Sequence, residues 1–398
     1  MDDTRHDTIS AGMTWLLAVA VGLVVANLYY AQPLVGPIAA ATGLDPGAAG
    51  LIVTLTQVGY CLGLLFIVPL GDLLENRRLA VVLLLANAGA LAAALSRSPA
   101  AFLPAAFAIG LTSVTTQLLV PIAAHLSPPE RRGQTVGTVM SGLLLGIMLS
   151  RPVASLVADA FGWHAIFALS AALTVCLACV LRLRLPRRQP QAAMPYARLV
   201  GSLLQLLKTT PVLRRRAAYQ FCIFGAFSLF WTTVPLHLAG PAFGLSQTGI
   251  AVFALVGVAG ALASPFAGRR ADQGLARSTT GMAMGVAMLA FAAPLLLHGG
   301  RTFELGVLVV AAIALDMGVA ANLVLGQRAL FALAAETRAR LNALYIAIFF
   351  LGGALGSALG GWMHAHHGWP GVLAAGLLLP AIAFVFHLTE YAGKRVAA

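Results

Sequence analysis

Two charged residues lie away from the ends of long apolar runs of this 398-residue chain, and they are the residues best placed to do chemistry. Asp316 lies in AAIALDMGVAAN, midway between Glu304 and Arg328. An ionisable side chain at the centre of a membrane helix costs about 2.5–3.5 kcal/mol on insertion scales, so its presence predicts a function or a compensating partner. A carboxyl group can take up and release a proton. We therefore interpret Asp316 as a proton-coupling or cation-binding group, with a structural hydrogen bond between helices as the alternative.

Arg151 is the second of these residues and lies in GLLLGIMLSRP. Because an arginine keeps its charge, it needs a carboxylate, helix carbonyl groups or an anionic ligand nearby. Asp316, Asp159 and the substrate are all eligible partners. We assign Arg151 to the proton-coupling group together with Asp316, and a purely structural role is the alternative.

Amide, hydroxyl and aromatic side chains form a second set of candidates within four of the apolar runs. Such groups can bind a neutral or weakly charged amphipathic small molecule. They can also join helices through hydrogen bonds, each typically worth less than about 2 kcal/mol. The candidate substrate-binding residues are Asn27, Tyr29, Tyr30, Gln32, Thr112, Thr116, Gln117, Phe227, Trp231 and Asn322.

The composition shows which elements must hold these residues. Hydrophobic residues make up 60% of the chain and charged residues 10%, whereas soluble domains are about a quarter charged. A bilayer core of about 30 Å needs about 20 apolar residues per helix, and the period-two alternation of an outer-membrane barrel is absent. We number the twelve apolar runs of that length spans 1–12, at 13–36, 48–71, 79–96, 100–124, 134–158, 163–183, 217–239, 247–268, 278–298, 303–327, 340–363 and 369–390.

The basic residues lie in alternate gaps between the spans. Arg97 and Arg301 are the basic residues of one set of gaps. The other set holds Arg77, Arg78, Arg131, Arg132, Arg269, Arg270, Arg277, Arg338 and Arg340. Since basic loops stay on the cytoplasmic side, this asymmetry predicts a multi-pass protein of the bacterial inner membrane with both termini in the cytoplasm. Topology also explains the net charge of +12, so we expect a lipid bilayer around the protein and no nucleic-acid partner.

A basic stretch at 182–216 divides the chain into halves at 1–181 and 217–398. This stretch contains no Asp or Glu. Its segment 197–209 places leucines at helical spacing, which predicts a helix along the membrane surface, with a solvated linker as the alternative.

The two halves repeat one another at nearly fixed offsets. Gly162-Trp163 precedes span 6 and Gly368-Trp369 precedes span 12, an offset of 206 residues. Asp72 after span 2 matches Asp272 after span 8 at an offset of 200. Twelve spans therefore divide into six plus six, related by duplication.

Four loop segments carry a resemblance to a known family. GDLLENRR at 71–78 and GRRADQGLAR at 268–277 resemble the Gly-Asp-basic loops after helices 2 and 8 of the major facilitator superfamily. PPERRG at 128–133 and AETRARLNA at 335–343 resemble its loops before helices 5 and 11. Within the superfamily the chain looks most like the drug:proton antiporter and sugar-efflux group.

The resemblance implies an all-α integral membrane protein of twelve helices in two pseudo-symmetric six-helix bundles. It implies a monomeric secondary transporter that works by alternating access and exports a drug-like or sugar-like molecule in exchange for protons. Uptake or facilitated diffusion without proton coupling is the alternative. In the family, helices 1, 4, 7 and 10 line the central cavity, so the resemblance places Asp316 and the candidate substrate-binding residues beside substrate. The sequence holds no P-loop, zinc motif or nucleophile elbow, so we predict no enzyme activity, cofactor or metal.

Charged residues at the helix ends form a candidate gate. We predict that they close the cytoplasmic side in one state and separate in the other, with a plain topology signal as the alternative. The candidate gating residues are Asp72, Arg77, Arg78, Asp272, Arg269 and Arg277.

Small residues mark the expected contacts between helices. Glycines recur in spans 5 and 11, which favours close helix packing. They are Gly137, Gly142 and Gly146 in span 5, and Gly352, Gly353, Gly356, Gly360 and Gly361 in span 11. We expect this packing to lie between the two halves.

Overall fold

A computed structural model describes residues 10–190, 194–333 and 335–392. Within these ranges the chain forms helices joined by short turns, and no β-strand occurs. The all-α fold class predicted from the sequence is confirmed. Both chain ends lie outside the described residues, so the location of the termini stays a prediction.

Helices long and apolar enough to cross a membrane occupy most of the described chain. Ten qualify by length and composition: Pro46–Asp72, Asn76–Ala93, Pro99–Leu126, Arg132–Phe161, His164–Arg184, Pro211–Ala239, Gln247–Asp272, Ala276–Leu296, Arg301–Phe331 and Arg338–Tyr391. The last contains spans 11 and 12, while Ala11–Ala26 and Val35–Thr42 together form span 1. The helices are therefore consistent with twelve spans, in an N-terminal bundle (spans 1–6) and a C-terminal bundle (spans 7–12).

Two glycines at equivalent positions turn the chain between neighbouring spans. Gly162 joins spans 5 and 6 with φ of 82°, and Gly368 joins spans 11 and 12 with φ of 62°. A side chain is strained in this left-handed region, whereas glycine is not. The sequence repeat at these positions is thus a repeat of backbone geometry.

Span 1 is broken in the middle. Its first helix ends at Ala26 and its second begins at Val35, with tight turns between them. Pro33 lies in this gap, and it has no N–H to donate and disfavours helical geometry in the residue before it. The break holds the segment NLYYAQPL in irregular backbone.

Glycine packing joins helices within each bundle. A Cβ atom on Gly22 of span 1 would lie 2.7 Å from the carbonyl oxygen of Gly142 in span 5. One on Gly225 of span 7 would lie 3.0 Å from the carbonyl oxygen of Gly352 in span 11. These glycines bring spans 1 and 5, and spans 7 and 11, into backbone contact within each bundle. Gly353 and Gly361 of span 11 instead face Gln57 and Gly50 of the other bundle, so the expected packing between the halves holds for those two glycines.

We call the end of the bundles that carries the arginine-rich loops the basic end, and the opposite end the far end. At the far end the two bundles touch closely. Thr54 Oγ1 donates to the Ala354 carbonyl at 3.0 Å, and Thr248 Oγ1 donates to Asp159 Oδ2 at 2.7 Å. A Cβ atom on Gly361 would lie 2.6 Å from the Gly50 nitrogen. These contacts hold the two bundles together at the far end.

At the basic end a short amphipathic helix, Tyr196–Thr209, connects the bundles. Its Leu199 and Leu203 are buried against the protein. The Tyr196 hydroxyl donates to the Phe66 carbonyl at 2.8 Å, and Arg340 donates to Ser202 Oγ at 2.9 Å. This helix thus contacts span 2 of one bundle and span 11 of the other. The domain boundaries at 181 and 217 stay a prediction.

Candidate functional site

Arg151 lies at the interface between the two bundles. It belongs to span 5, is 4% exposed, and its Nε donates to Gln32 Oε1 at 2.8 Å. The guanidinium carbon lies 4.5 Å from the ring centroid of Trp231, 5.0 Å from that of Phe227 and 5.3 Å from that of Tyr29. Two of these rings come from span 7, so an N-terminal cation is held in part by aromatic side chains of the C-terminal bundle.

Trp231 connects this arginine to Asp316. Its indole Nε1–H donates to Asp316 Oδ1 at 2.8 Å, while its ring face receives the guanidinium. Asp316 is 7% exposed and lies in the middle of the helix Arg301–Phe331. We call Tyr29, Gln32, Arg151, Phe227, Trp231 and Asp316 the central cluster.

A distortion of span 8 makes room for Asp316. Residues Leu255–Leu262 form a 3₁₀ helix between two α-helical segments. Gly257 and Gly260 are three residues apart and therefore lie on one face of such a helix. A Cβ atom on Gly257 would lie 2.8 Å from Asp316 Oδ2, and one on Gly260 would collide with Asp316 Cβ. These two glycines allow the backbone of span 8 to approach the carboxyl group.

The charges of the central cluster come from opposite bundles. The carboxylate of Asp316 and the guanidinium of Arg151 both contact the Trp231 indole, at its N–H and at its ring face, so these opposite charges attract each other across the interface. Both groups are buried away from water. In such surroundings opposite charges attract more strongly than they do in water, and a charge without a partner is costly. Any change in the ionisation of Asp316 therefore changes the attraction between the bundles.

The N-terminal bundle contains a different polar group, which we call the N-terminal polar network. Asn27 Nδ2 donates to Asn87 Oδ1 at 2.8 Å, and Ser170 Oγ donates to Asn27 Oδ1 at 2.6 Å. Asn87 Nδ2 in turn lies 2.8 Å from Thr112 Oγ1 and 3.1 Å from Ser113 Oγ. The network joins spans 1, 3, 4 and 6. Asn27 and Thr112 therefore share the partner Asn87 and lie outside the central cluster.

The other candidate substrate-binding residues lie in separate places. Asn322 Nδ2 donates to Gln220 Oε1 at 2.6 Å within the C-terminal bundle. Gln117 Nε2 donates to the Tyr60 hydroxyl at 3.0 Å, and Thr116 Oγ1 donates to the Ser113 carbonyl at 3.2 Å. Tyr30 is buried in an apolar cluster of the N-terminal bundle. The structure thus gathers Tyr29, Gln32, Phe227 and Trp231 around the charge pair and leaves the remaining six outside it.

Two candidate gating residues form ion pairs within the C-terminal bundle, and one donates to backbone carbonyls within the N-terminal bundle. Asp272 pairs with Arg328 of span 10, and Arg277 Nε lies 3.7 Å from Glu390 Oε2 of span 12. Arg77 donates to the carbonyls of Arg182 and Leu185 at the end of span 6, both at 3.3 Å.

Adjacent helix ends within one bundle bring Asp272 and Arg328 together. The closing of a gate by these residues stays a prediction. The remaining candidates, Asp72, Arg78 and Arg269, are exposed at the basic end.

Sequence reasoning missed three buried polar residues: Gln57, Asn87 and Ser228. Gln57 of span 2 donates through Nε2 to Ser228 Oγ of span 7 at 2.7 Å, across the bundle interface. Asn87 organises the N-terminal polar network and is fully buried. A lone amide in the apolar run LLLANAGA was the available signal for Asn87, since an amide inside a membrane helix needs partners.

Comparison with known proteins shows the family to which this chain belongs. The family model of the Major Facilitator Superfamily matches residues 14–305 and 217–396. The chain is 39% identical over 398 residues to the "Uncharacterized transporter YgaY" of Escherichia coli O157:H7, covering 98% of this chain and 100% of that protein. It is 34% identical over 361 residues to the "Probable transporter SCO4007" of Streptomyces coelicolor, covering 90% and 83%.

Solved structures show the same fold at low sequence identity. A bacterial homologue of the human lysosomal transporter Spinster, in an inward-facing and occupied conformation, aligns with a TM-score of 0.76 and 15% identity over 95% of this chain and 96% of that one. A mutant form of the nucleoside transporter NupG aligns with a TM-score of 0.73 and 16% identity over 95% and 99%. The two helical bundles, the family match and the named relatives lead to one conclusion. This chain is a membrane transporter that belongs to the Major Facilitator Superfamily.

Proposed function

We propose that this transporter is driven by protons, and that it exports a drug-like or sugar-like small molecule across the bacterial inner membrane. The observation that carries the proposal is the buried charge pair of Arg151 and Asp316, which joins opposite bundles through Trp231. Arg151 cannot release its proton, so Asp316 is the member of the pair that can change its charge.

The proposed cycle follows from this asymmetry. With Asp316 ionised, the two bundles attract each other at the middle of the membrane. When Asp316 takes up a proton from the far side, this attraction is lost and Arg151 needs a new partner, which favours rearrangement of the bundles. Substrate that enters from the basic end then favours release of the proton. Exchange results because substrate and proton prefer opposite charge states of Asp316.

The gate at the basic end belongs to the same proposal. Asp72, Arg77, Arg78, Asp272, Arg269 and Arg277 would exchange partners as the bundles rock, closing the basic end when the far end opens. We place the basic end and both termini in the cytoplasm, as basic loops prefer. The transporter is proposed to act as a monomer in the lipid bilayer.

The test is substrate-induced proton movement in proteoliposomes that contain a pH-sensitive dye. Wild type, Asp316→Asn and the control Asp45→Asn are compared across a panel of drugs and sugars, with rates normalised to folded protein. Asp45 is a suitable control because it is an exposed carboxylate that only caps a short turn, through its contact with the Gly47 nitrogen at 2.8 Å.

We expect proton movement in wild type and Asp45→Asn, and none in Asp316→Asn. Equal proton movement in Asp316→Asn would remove Asp316 from the coupling mechanism. Substrate movement without protons in wild type would instead establish the alternative, a carrier for uptake or facilitated diffusion.

A further inference from the structure

We propose that the substrate is a neutral molecule that presents adjacent hydroxyl or carbonyl oxygens to Arg151 and Gln32. The inference rests on the transport function proposed above, and it adds the chemical class of the substrate and the two donors that hold it.

Two buried N–H groups of the central cluster lack a partner among the described residues. They are Arg151 Nη2 and Gln32 Nε2. Gln32 is fully buried, and Arg151 is 4% exposed. A buried donor without an acceptor costs about 1–3 kcal/mol, so native proteins seldom keep one without a purpose.

The two free donors are neighbours with a fixed direction. Arg151 can only donate, so Gln32 must turn its amide oxygen toward Arg151 Nε, at 2.8 Å. That contact leaves the amide NH₂ of Gln32 free beside the guanidinium. The rings of Tyr29, Phe227 and Trp231 surround the guanidinium and restrict its rotation. Together the two side chains present a pair of donors to adjacent acceptor atoms of a ligand.

The charge balance of the cluster selects a neutral ligand. Arg151 and Asp316 carry opposite charges, are both buried and both contact Trp231, so together they leave the cluster without excess charge. An anionic ligand would add a second negative charge next to Asp316, and a cationic ligand would add a second positive charge next to Arg151. Either excess charge is expensive in a site removed from water. A hydroxyl-bearing molecule avoids this cost, because its oxygens accept from Arg151 and Gln32 and its hydroxyl hydrogens can be donated to Asp316.

The test compares ligands that share a skeleton and differ in charge. The midpoint of thermal unfolding of the purified protein is measured with glucose, glucosamine and glucuronate, with uridine and uridine monophosphate, and with a neutral pentitol. We expect at least one neutral compound to stabilise wild type, and its ionised derivatives to bind at least about tenfold more weakly. Gln32→Ala should weaken binding of that neutral compound by about tenfold, which corresponds to one lost hydrogen bond.

Gln57→Ala is the matched control, because Gln57 is also a buried glutamine at the bundle interface but its Nε2 is already bonded to Ser228. It should bind the neutral compound as wild type does. Stronger binding of an ionised derivative, unchanged binding in Gln32→Ala, or stabilisation by none of the neutral compounds would overturn the proposal. The pH response of the unliganded protein separates this failure from failure of the proposed transport function. If only the substrate class is wrong, Gln32→Ala still changes conformation with pH. If proton coupling is wrong, wild type shows no such change either.

Discussion

The central cluster and the N-terminal polar network are both buried groups of polar side chains, yet they differ in where their bonds go. In the network, Asn27 and Asn87 bond to partners within one bundle, and neither amide leaves a buried polar atom unpaired among the described residues. In the central cluster, contacts cross between bundles, and Arg151 and Gln32 each keep an unpaired N–H. We interpret the satisfied bonds within one bundle as structural, and the unpaired donors of Arg151 and Gln32 at the bundle interface as the binding groups proposed above.

Removing both charges of the central cluster should give the largest effect on transport. The double variant Arg151→Gln/Asp316→Asn is expected to abolish proton-coupled transport and to keep near wild-type thermal stability. The two charges are linked through Trp231, and we expect them to follow the rule for buried ion pairs: replacing both members is often neutral for folding, whereas removing one costs about 3–5 kcal/mol. Thermal unfolding and transport assays on the two single variants and the double variant check this. Restored transport in the double variant would contradict a role for the charges.

The N-terminal polar network should show the opposite pattern. Asn87→Leu is expected to lower the free energy of unfolding by about 2 kcal/mol, because it leaves the Asn27 amide and neighbouring hydroxyl groups without their partner. Transport per folded molecule should stay near wild type. A large loss of transport without a loss of stability would mean that the network takes part in the transport cycle.

A smaller effect is expected from Arg151→Lys, which keeps the charge but not the planar shape. Lysine cannot stack on three rings and donate to Gln32 in the same geometry. We expect transport to slow by about tenfold, equivalent to about 1.4 kcal/mol, while protons remain coupled. Initial rates of dye response measure this. A rate equal to wild type would show that charge alone is sufficient.

The smallest effect is expected from Gln57→Ala. This change removes one hydrogen bond between the bundles, from Gln57 to Ser228. Because hydrogen bonds between membrane helices average about 0.6 kcal/mol, we expect a loss of stability below about 1 kcal/mol and transport close to wild type. A loss comparable to that in Asn87→Leu would place Gln57 among the structural anchors.

Much of the fold could be predicted from the sequence because membrane helices are set by length and hydropathy. The twelve apolar runs and the offset of 206 residues between Gly162 and Gly368 indicated the repeated architecture, and both glycines adopt positive φ. The two ionisable residues of the central cluster were also visible, since a charge in an apolar run is conspicuous.

The division of the polar residues between structure and function was not predictable. Asn27 and Gln32 lie five positions apart in the same segment, NLYYAQPL. Asn27 bonds to Asn87 of the N-terminal polar network and Gln32 bonds to Arg151 of the central cluster, and nothing in their residue types distinguishes them. The break at Pro33 removes the helical periodicity that would have assigned each residue to a face. The packing of Gly142 against span 1 was not predictable either, because the spacing of glycines in one helix does not indicate which helix they contact.

The distance between the bundles at the basic end, measured as a function of pH, tests most directly whether protonation of Asp316 releases the bundles from each other. Spin labels at Gln134→Cys and Gln273→Cys, both exposed sites in opposite bundles, report this distance by double electron–electron resonance once Cys61, Cys176, Cys179 and Cys222 have been replaced. If protonation of Asp316 releases the bundles, the distance distribution of wild type shifts between about pH 5 and pH 9 in the range where a buried carboxyl group can titrate. Asp316→Asn then holds the low-pH distribution throughout. A pH-dependent shift in Asp316→Asn equal to that of wild type would contradict the account.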